Sequence, residues 1–155
     1  MPDDPHNLAR FVDAQRAVYD AVLAELRRGR KASHWMWFVF PQIAGLGRSP
    51  MAREYAIGSR EEARAYLAHP VLGPRLRECA ALVAETERRS ITEILGPIDG
   101  VKFRSSMTLF AEVAPGEPVF RQALDKYFDG QPDPLTLERL GASSAASRDT
   151  LESEA

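Results

Sequence analysis

Polar and apolar positions alternate with a helical period almost from the start of the chain. Leu8, Phe11, Val12, Gln15, Val18, Tyr19, Val22 and Leu26 recur every three to four residues. Asp4 and Pro5 supply an N-cap and a first-turn proline, and Arg27-Arg28-Gly29 supplies a basic last turn and a stop. The pattern predicts one long helix between these signals. Later stretches repeat the logic on a shorter scale. Ser49-Pro50 opens a helix reaching about Tyr55, and Ser59 with Glu62 forms a capping box for one that His69-Pro70 ends. Leu72, Leu76, Cys79, Ala80 and Val83 then share a helical face. Ser90 with Glu93 is a second capping box, closed by Gly96-Pro97. Asp99 can cap a helix holding Val101, Phe103, Met107, Leu109 and Phe110. Pro118 opens a helix through Phe128, and Asp133-Pro134 starts a last one ending at Leu140-Gly141.

One stretch has no polar face. Ser33 to Gly47, SHWMWFVFPQIAGLG, holds both tryptophans and two phenylalanines. Its residue types favour a strand. No second convincing strand exists to pair with it, however, and a lone strand leaves its backbone groups without partners. The expectation is a buried helix capped by Ser33 and ended by Pro41. The fold class is therefore all-α: an irregular multi-helix globule with one buried aromatic-rich helix surrounded by the others. A single domain over 5–141 is expected, followed by a disordered tail over 142–155, ASSAASRDTLESEA.

Composition narrows the function. A net charge of −2 gives no overall basic footprint, so nucleic acid is an unlikely partner, although Arg27, Arg28, Arg30 and Lys31 form a local cluster. No apolar run approaches the ~20 residues of a membrane helix. The single cysteine, Cys79, allows no internal disulfide and fits a reducing, cytoplasmic setting. Nothing resembles a phosphate-binding glycine loop, paired cysteines or a nucleophile elbow, and His6, His34 and His69 are scattered. No metal and no cofactor are expected. Oligomeric state is not legible. Seventeen arginines stand against three lysines, a bias that usually reflects a GC-rich genome and draws attention to Lys31, Lys102 and Lys126.

Candidate chemistry gathers around the two aromatic segments. His34 is either a first-turn histidine bonded to a neighbour or a proton donor at a pocket edge. Trp35 and Trp37 lie two apart, so one can fill the core while the other lines a cleft. Gln42, beside Pro41, either bonds free backbone groups or reads a ligand's polar edge. Arg48, in a glycine-flanked loop, is a solvated arginine or an anion contact. Asp99, Lys102, Ser105, Ser106 and Thr108 form the densest polar set, with Lys102, Ser105 and Ser106 on one helical face. They either bind a phosphate or sugar or act as cap, snorkelling lysine and back-bonding serines.

The motifs GRKASHWMWFVFPQIAGLG, YAIGSREEARAYLAHPVLGPRLRE and DGVKFRSSMTLF resemble the signature of the family catalogued as domain of unknown function 1810, from about Leu8 to Leu140. The resemblance implies an all-α fold of about five main helices with one surrounded by the rest. It carries over no catalytic residue. Members sometimes bear the label calpastatin, but calpastatins resemble long, disordered, repetitive inhibitors, unlike this capped and repeat-free chain.

The residues together point to a cleft beside the central helix that holds a small polar or anionic ligand, nucleotide- or sugar-phosphate-like. Lys31, Trp35, Trp37, Gln42, Arg48, Ser105 and Ser106 are its candidate binding residues. If it is an enzyme, it is a metal-free hydrolase or glycosidase, with Lys102 or His34 moving a proton and Asp99 orienting it. The alternative is a protein-interaction module that uses an exposed aromatic groove.

Overall fold

The computed structural model describes residues 4–141. It is helical throughout: α1 (Ala9–Arg16), α2 (Tyr19–Arg27), α3 (Met36–Val39), α4 (Pro50–Glu54), α5 (Arg60–Ala68), α6 (Leu72–Glu85), α7 (Ile91–Leu95), α8 (Pro97–Val113), α9 (Pro118–Phe128) and α10 (134–141). Among the described residues the only extended pairing is an isolated parallel bridge between Ile43 and Ile57. The tail over 142–155 lies outside the described residues. No described helix is long and apolar enough to cross a membrane.

The capping signals hold with few changes. Ser49, Ser59 and Ser90 each accept a backbone N–H of their own helix, and the Ser90–Glu93 box is reciprocal. Glu62 leaves its box: its carboxylate accepts from Gly58 N at 3.0 Å and pairs with Arg10 at 2.9 Å. The long first helix is instead two. Asn7 adopts φ 50°, so helix begins only at Ala9, and Asp4 caps from a distance through Leu8 N and Ala9 N. A second break between Arg16 and Tyr19 lets α1 pack on α3 while α2 packs on α6. Gln15, the polar member of the apolar stripe, is buried and donates to Phe38 O at 2.7 Å and to the Tyr66 hydroxyl at 3.2 Å.

The aromatic stretch is buried and helical at its centre, but its helix is a single turn, Met36–Val39. Ser33 does not cap it, because the Ser33 hydroxyl is spent on Glu25. The flanking backbone finds other partners: Glu25 takes the Ala32 and Ser33 N–H groups, and Ile57 exchanges bonds with Gln42 and Ala44. These partners satisfy the backbone groups that a strand or a longer helix would otherwise have had to pair. The long buried helix is α8, with Phe103 and Ser105 through Ala111 inaccessible and α5, α7 and α9 around it. Aromatic rings join the two segments into one core, Phe40 meeting Phe103 edge-on at 5.0 Å and Tyr66 lying 5.5 Å from Phe110.

Arg10 ties three segments together. Its guanidinium donates to His6 O and Asn7 O in its own segment, to Glu54 O and Ala56 O after α4, and to Glu62 of α5.

Candidate functional site

The start of α8 decides the site. Gly96, at φ 92°, is the N-cap and Pro97 the first helical residue, so Asp99 is not the cap but a carboxylate inside the first turn. Freed from capping, it bridges two ammonium groups: Lys31 at 2.9 Å and Lys102 at 3.6 Å. Each lysine lies against a tryptophan, Lys31 5.2 Å from the Trp35 ring centre and Lys102 5.1 Å from that of Trp37. The two tryptophans diverge, as their spacing requires. Trp35 is buried and its indole N–H donates to Glu25 Oε1 at 3.0 Å, whereas Trp37 is half-buried and lines a small hollow with Gln42 and Tyr55.

Beside this array runs an open groove of about 430 Å³ between the first half of α8, the loop at Gln42–Gly47 and the start of α10. Ile98, Val101 and Leu135 line it, and they are 72%, 64% and 59% exposed, the most exposed large hydrophobic side chains among the described residues. Lys102, Gln42, Ser105 and Asp133 supply its polar atoms. Gly47 sits where a Cβ would fall 2.5 Å from that of Ala52, so the loop closes on α4 only with glycine there.

The floor is held by bonds internal to the protein. Ser105 Oγ donates to Asp133 Oδ2 at 3.0 Å, and Asp133 also accepts from Thr136 N and the Thr136 hydroxyl. Thr108 Oγ1 accepts the Asp133 N–H, and Arg104 reaches Gln131 O and Pro132 O. Ser105 thus touches the groove while anchoring α10 to α8. Ser106 is fully buried, its hydroxyl without a hydrogen-bond partner among the described residues, and it does not line the groove. His34 and Arg48 are exposed and lie outside it too.

Of the residues singled out from sequence, Lys102, Gln42 and Ser105 meet in the groove. Asp99, Lys31, Trp35 and Trp37 join Lys102 in the charge array. The sequence pattern gave no site role to Ile98, Val101, Leu135 or Asp133. A signal existed for two of them: Ile98 and Val101 sit seven and four residues before Ser105, on the outer face of α8, where a polar face was due. Among the described residues, no group of three or more His, Cys, Asp or Glu side chains is placed to hold a metal ion.

The model of a protein family of unknown function, DUF1810, matches residues 5–140. The chain belongs to this family. The chain is also similar to a crystal structure of the conserved hypothetical protein Rv1873 from Mycobacterium tuberculosis. That protein is 54% identical, the match covers 89% of this chain and 99% of the other, and the TM-score is 0.88. No curated protein matches the chain.

Proposed function

We propose that the groove over α8 binds a small amphipathic ligand, its apolar body against Ile98, Val101 and Leu135 and its anionic group on Lys102. One observation carries the reading: three strongly exposed hydrophobic side chains share a groove with an ammonium group held by Trp37 and Asp99. Apolar walls with a few convergent polar groups are the usual make-up of a small-molecule site. Lys102, paired with a carboxylate and placed against an aromatic ring, is suited to holding an anion and not to attacking one. Gln42 adds a neutral polar contact. If the ligand is processed, as by a metal-free hydrolase or glycosidase, Lys102 serves only to move a proton, with Asp99 orienting it. His34, exposed outside the groove, takes no part in this reading.

The test is a thermal-shift screen of carboxylates and phosphate esters that carry an apolar group, run on wild type and on Lys102→Ala and Val101→Asp. A ligand at about a hundred times its Kd stabilises by about 2.7 kcal/mol. Both variants are expected to melt like wild type without ligand and to lose the ligand's shift. A ligand whose shift survives both substitutions binds elsewhere, and the reading fails.

The same exposed walls favour a second reading, an interaction module that seats an apolar segment of a partner protein. Val101→Asp abolishes that binding as well, but Lys102→Ala leaves it largely intact, which separates the two.

A further inference from the structure

We infer a second binding site, for a compact polyphosphate, where the end of α2 meets the loop between α6 and α7. Two adjoining grooves, of about 490 and 440 Å³, share one residue, Arg89. Arg27 and Arg28 line the first, and Arg30 and Lys31 the second. These four arginines are exposed, and none is within ion-pair distance of a described carboxylate. What is local is their grouping: guanidinium groups from two sequence-distant segments line adjoining grooves on a chain of net charge −2.

The backbone brings the two sequence-distant parts together. Gly29 stops α2 at φ 73°, with Arg30 N bonded to Glu25 O and Gly29 N to Leu26 O. The Arg89 side chain lies across that glycine: a Cβ there would sit 3.2 Å from Arg89 Cδ and 3.3 Å from its Nε. The stop thus turns the basic end of α2 toward Arg89, 60 residues later, and guanidinium groups from both segments flank one cleft. Arginine forks match phosphate oxygens in pairs.

The carboxylates of Glu85, Glu87 and Glu93 border the same grooves. They confine the positive field to the clefts and disfavour a long nucleic-acid strand, which needs a continuous basic track. A short ligand with two or three adjacent phosphates, free or on a nucleotide, fits better. Lys31 is committed to Asp99 and adds little to this site.

Calorimetric titration with inorganic tripolyphosphate at 50 and 200 mM salt tests the assignment. Wild type is expected to bind, more weakly at the higher salt. Arg89→Ala and Arg30→Ala should each weaken binding about tenfold or more while melting like wild type, and Arg121→Ala, an exposed arginine of α9, should leave it unchanged. Absence of binding at 50 mM salt, or equal loss in Arg121→Ala, overturns the site. A nucleoside triphosphate should compete with tripolyphosphate, as one pocket requires. Binding of a single-stranded oligonucleotide that tripolyphosphate cannot displace overturns the compact-ligand assignment in favour of a strand.

Discussion

The Trp35 indole and the Glu25 carboxylate share a hydrogen bond of 3.0 Å inside the protein. The same carboxylate accepts from Ala32 N, Ser33 N and the Ser33 hydroxyl, with no cation among its hydrogen-bond partners. Burial opposes its ionisation, but the four donors outweigh burial and hold the carboxyl down at about 2. Glu25→Gln keeps the shape but removes the charge that strengthens these bonds, and its amide NH2, placed at the Oε2 position, forces the Ser33 hydroxyl to turn from donor to acceptor. It should cost about 2 kcal/mol at neutral pH by urea unfolding.

The sign with pH follows. A carboxyl held below its ordinary 4.5 contributes stability that is full above that value and is lost as pH falls toward about 2. Wild-type stability should therefore decline between these pH values more steeply than that of Glu25→Gln. Parallel declines in the two proteins would show that Glu25 is not the group responsible.

Two helical glycines should respond in opposite directions to the same change. A Cβ on Gly73 would fall 2.1 Å from the Leu67 carbonyl oxygen, where α5 and α6 meet, so Gly73→Ala should destabilise by about 3 kcal/mol as backbone is forced apart. At Gly100 in α8 the nearest atoms stand 3.6 Å away, so Gly100→Ala should gain about 0.5–1 kcal/mol from helix propensity. Melting curves of the two variants read the contrast.

The two lysines on Asp99 should separate by role. Lys31 has a side chain only 9% exposed and a short ion pair, and its loss leaves a half-buried carboxylate with one distant partner. Lys31→Ala should lower stability by about 1–3 kcal/mol. Lys102→Ala, with the longer and more exposed pair, should change it by less than about 1 kcal/mol. A ranking in the reverse order would place the structural load on Lys102.

Cys79 should be inert in the folded protein. Burial drives its thiol up to about 12 against the opposing contact with the Tyr19 hydroxyl, so thiolate is scarce at neutral pH. Reaction with a thiol reagent should be slow and should accelerate with urea along the unfolding transition.

Local signals were legible and distant pairings were not. Ser59, Ser90, Pro118 and Asp133 announce their helices because a cap is a matter of three or four residues. The kink at Asn7 and the break after Arg16 carry no such mark; they are imposed by where α1 and α2 must pack. Asp99 and Lys102 were readable as a pair at helical spacing. Lys31, 68 residues from Asp99, came to the same place only through the fold. The groove needed both kinds of information. In the sequence Val101 stands in one apolar series with Phe103, Met107, Leu109 and Phe110, and only the placement of α10 shows that its own face remains open.

Arg10 has a reach that its position hides. It grips the carbonyls of Glu54 and Ala56, immediately ahead of Ile57, and Ile57 in turn holds Gln42 and Ala44. One wall of the groove is thus propped by a side chain on the opposite flank of that loop, ten residues into the chain. Damage to the first helix would loosen that wall without touching any residue that faces the groove.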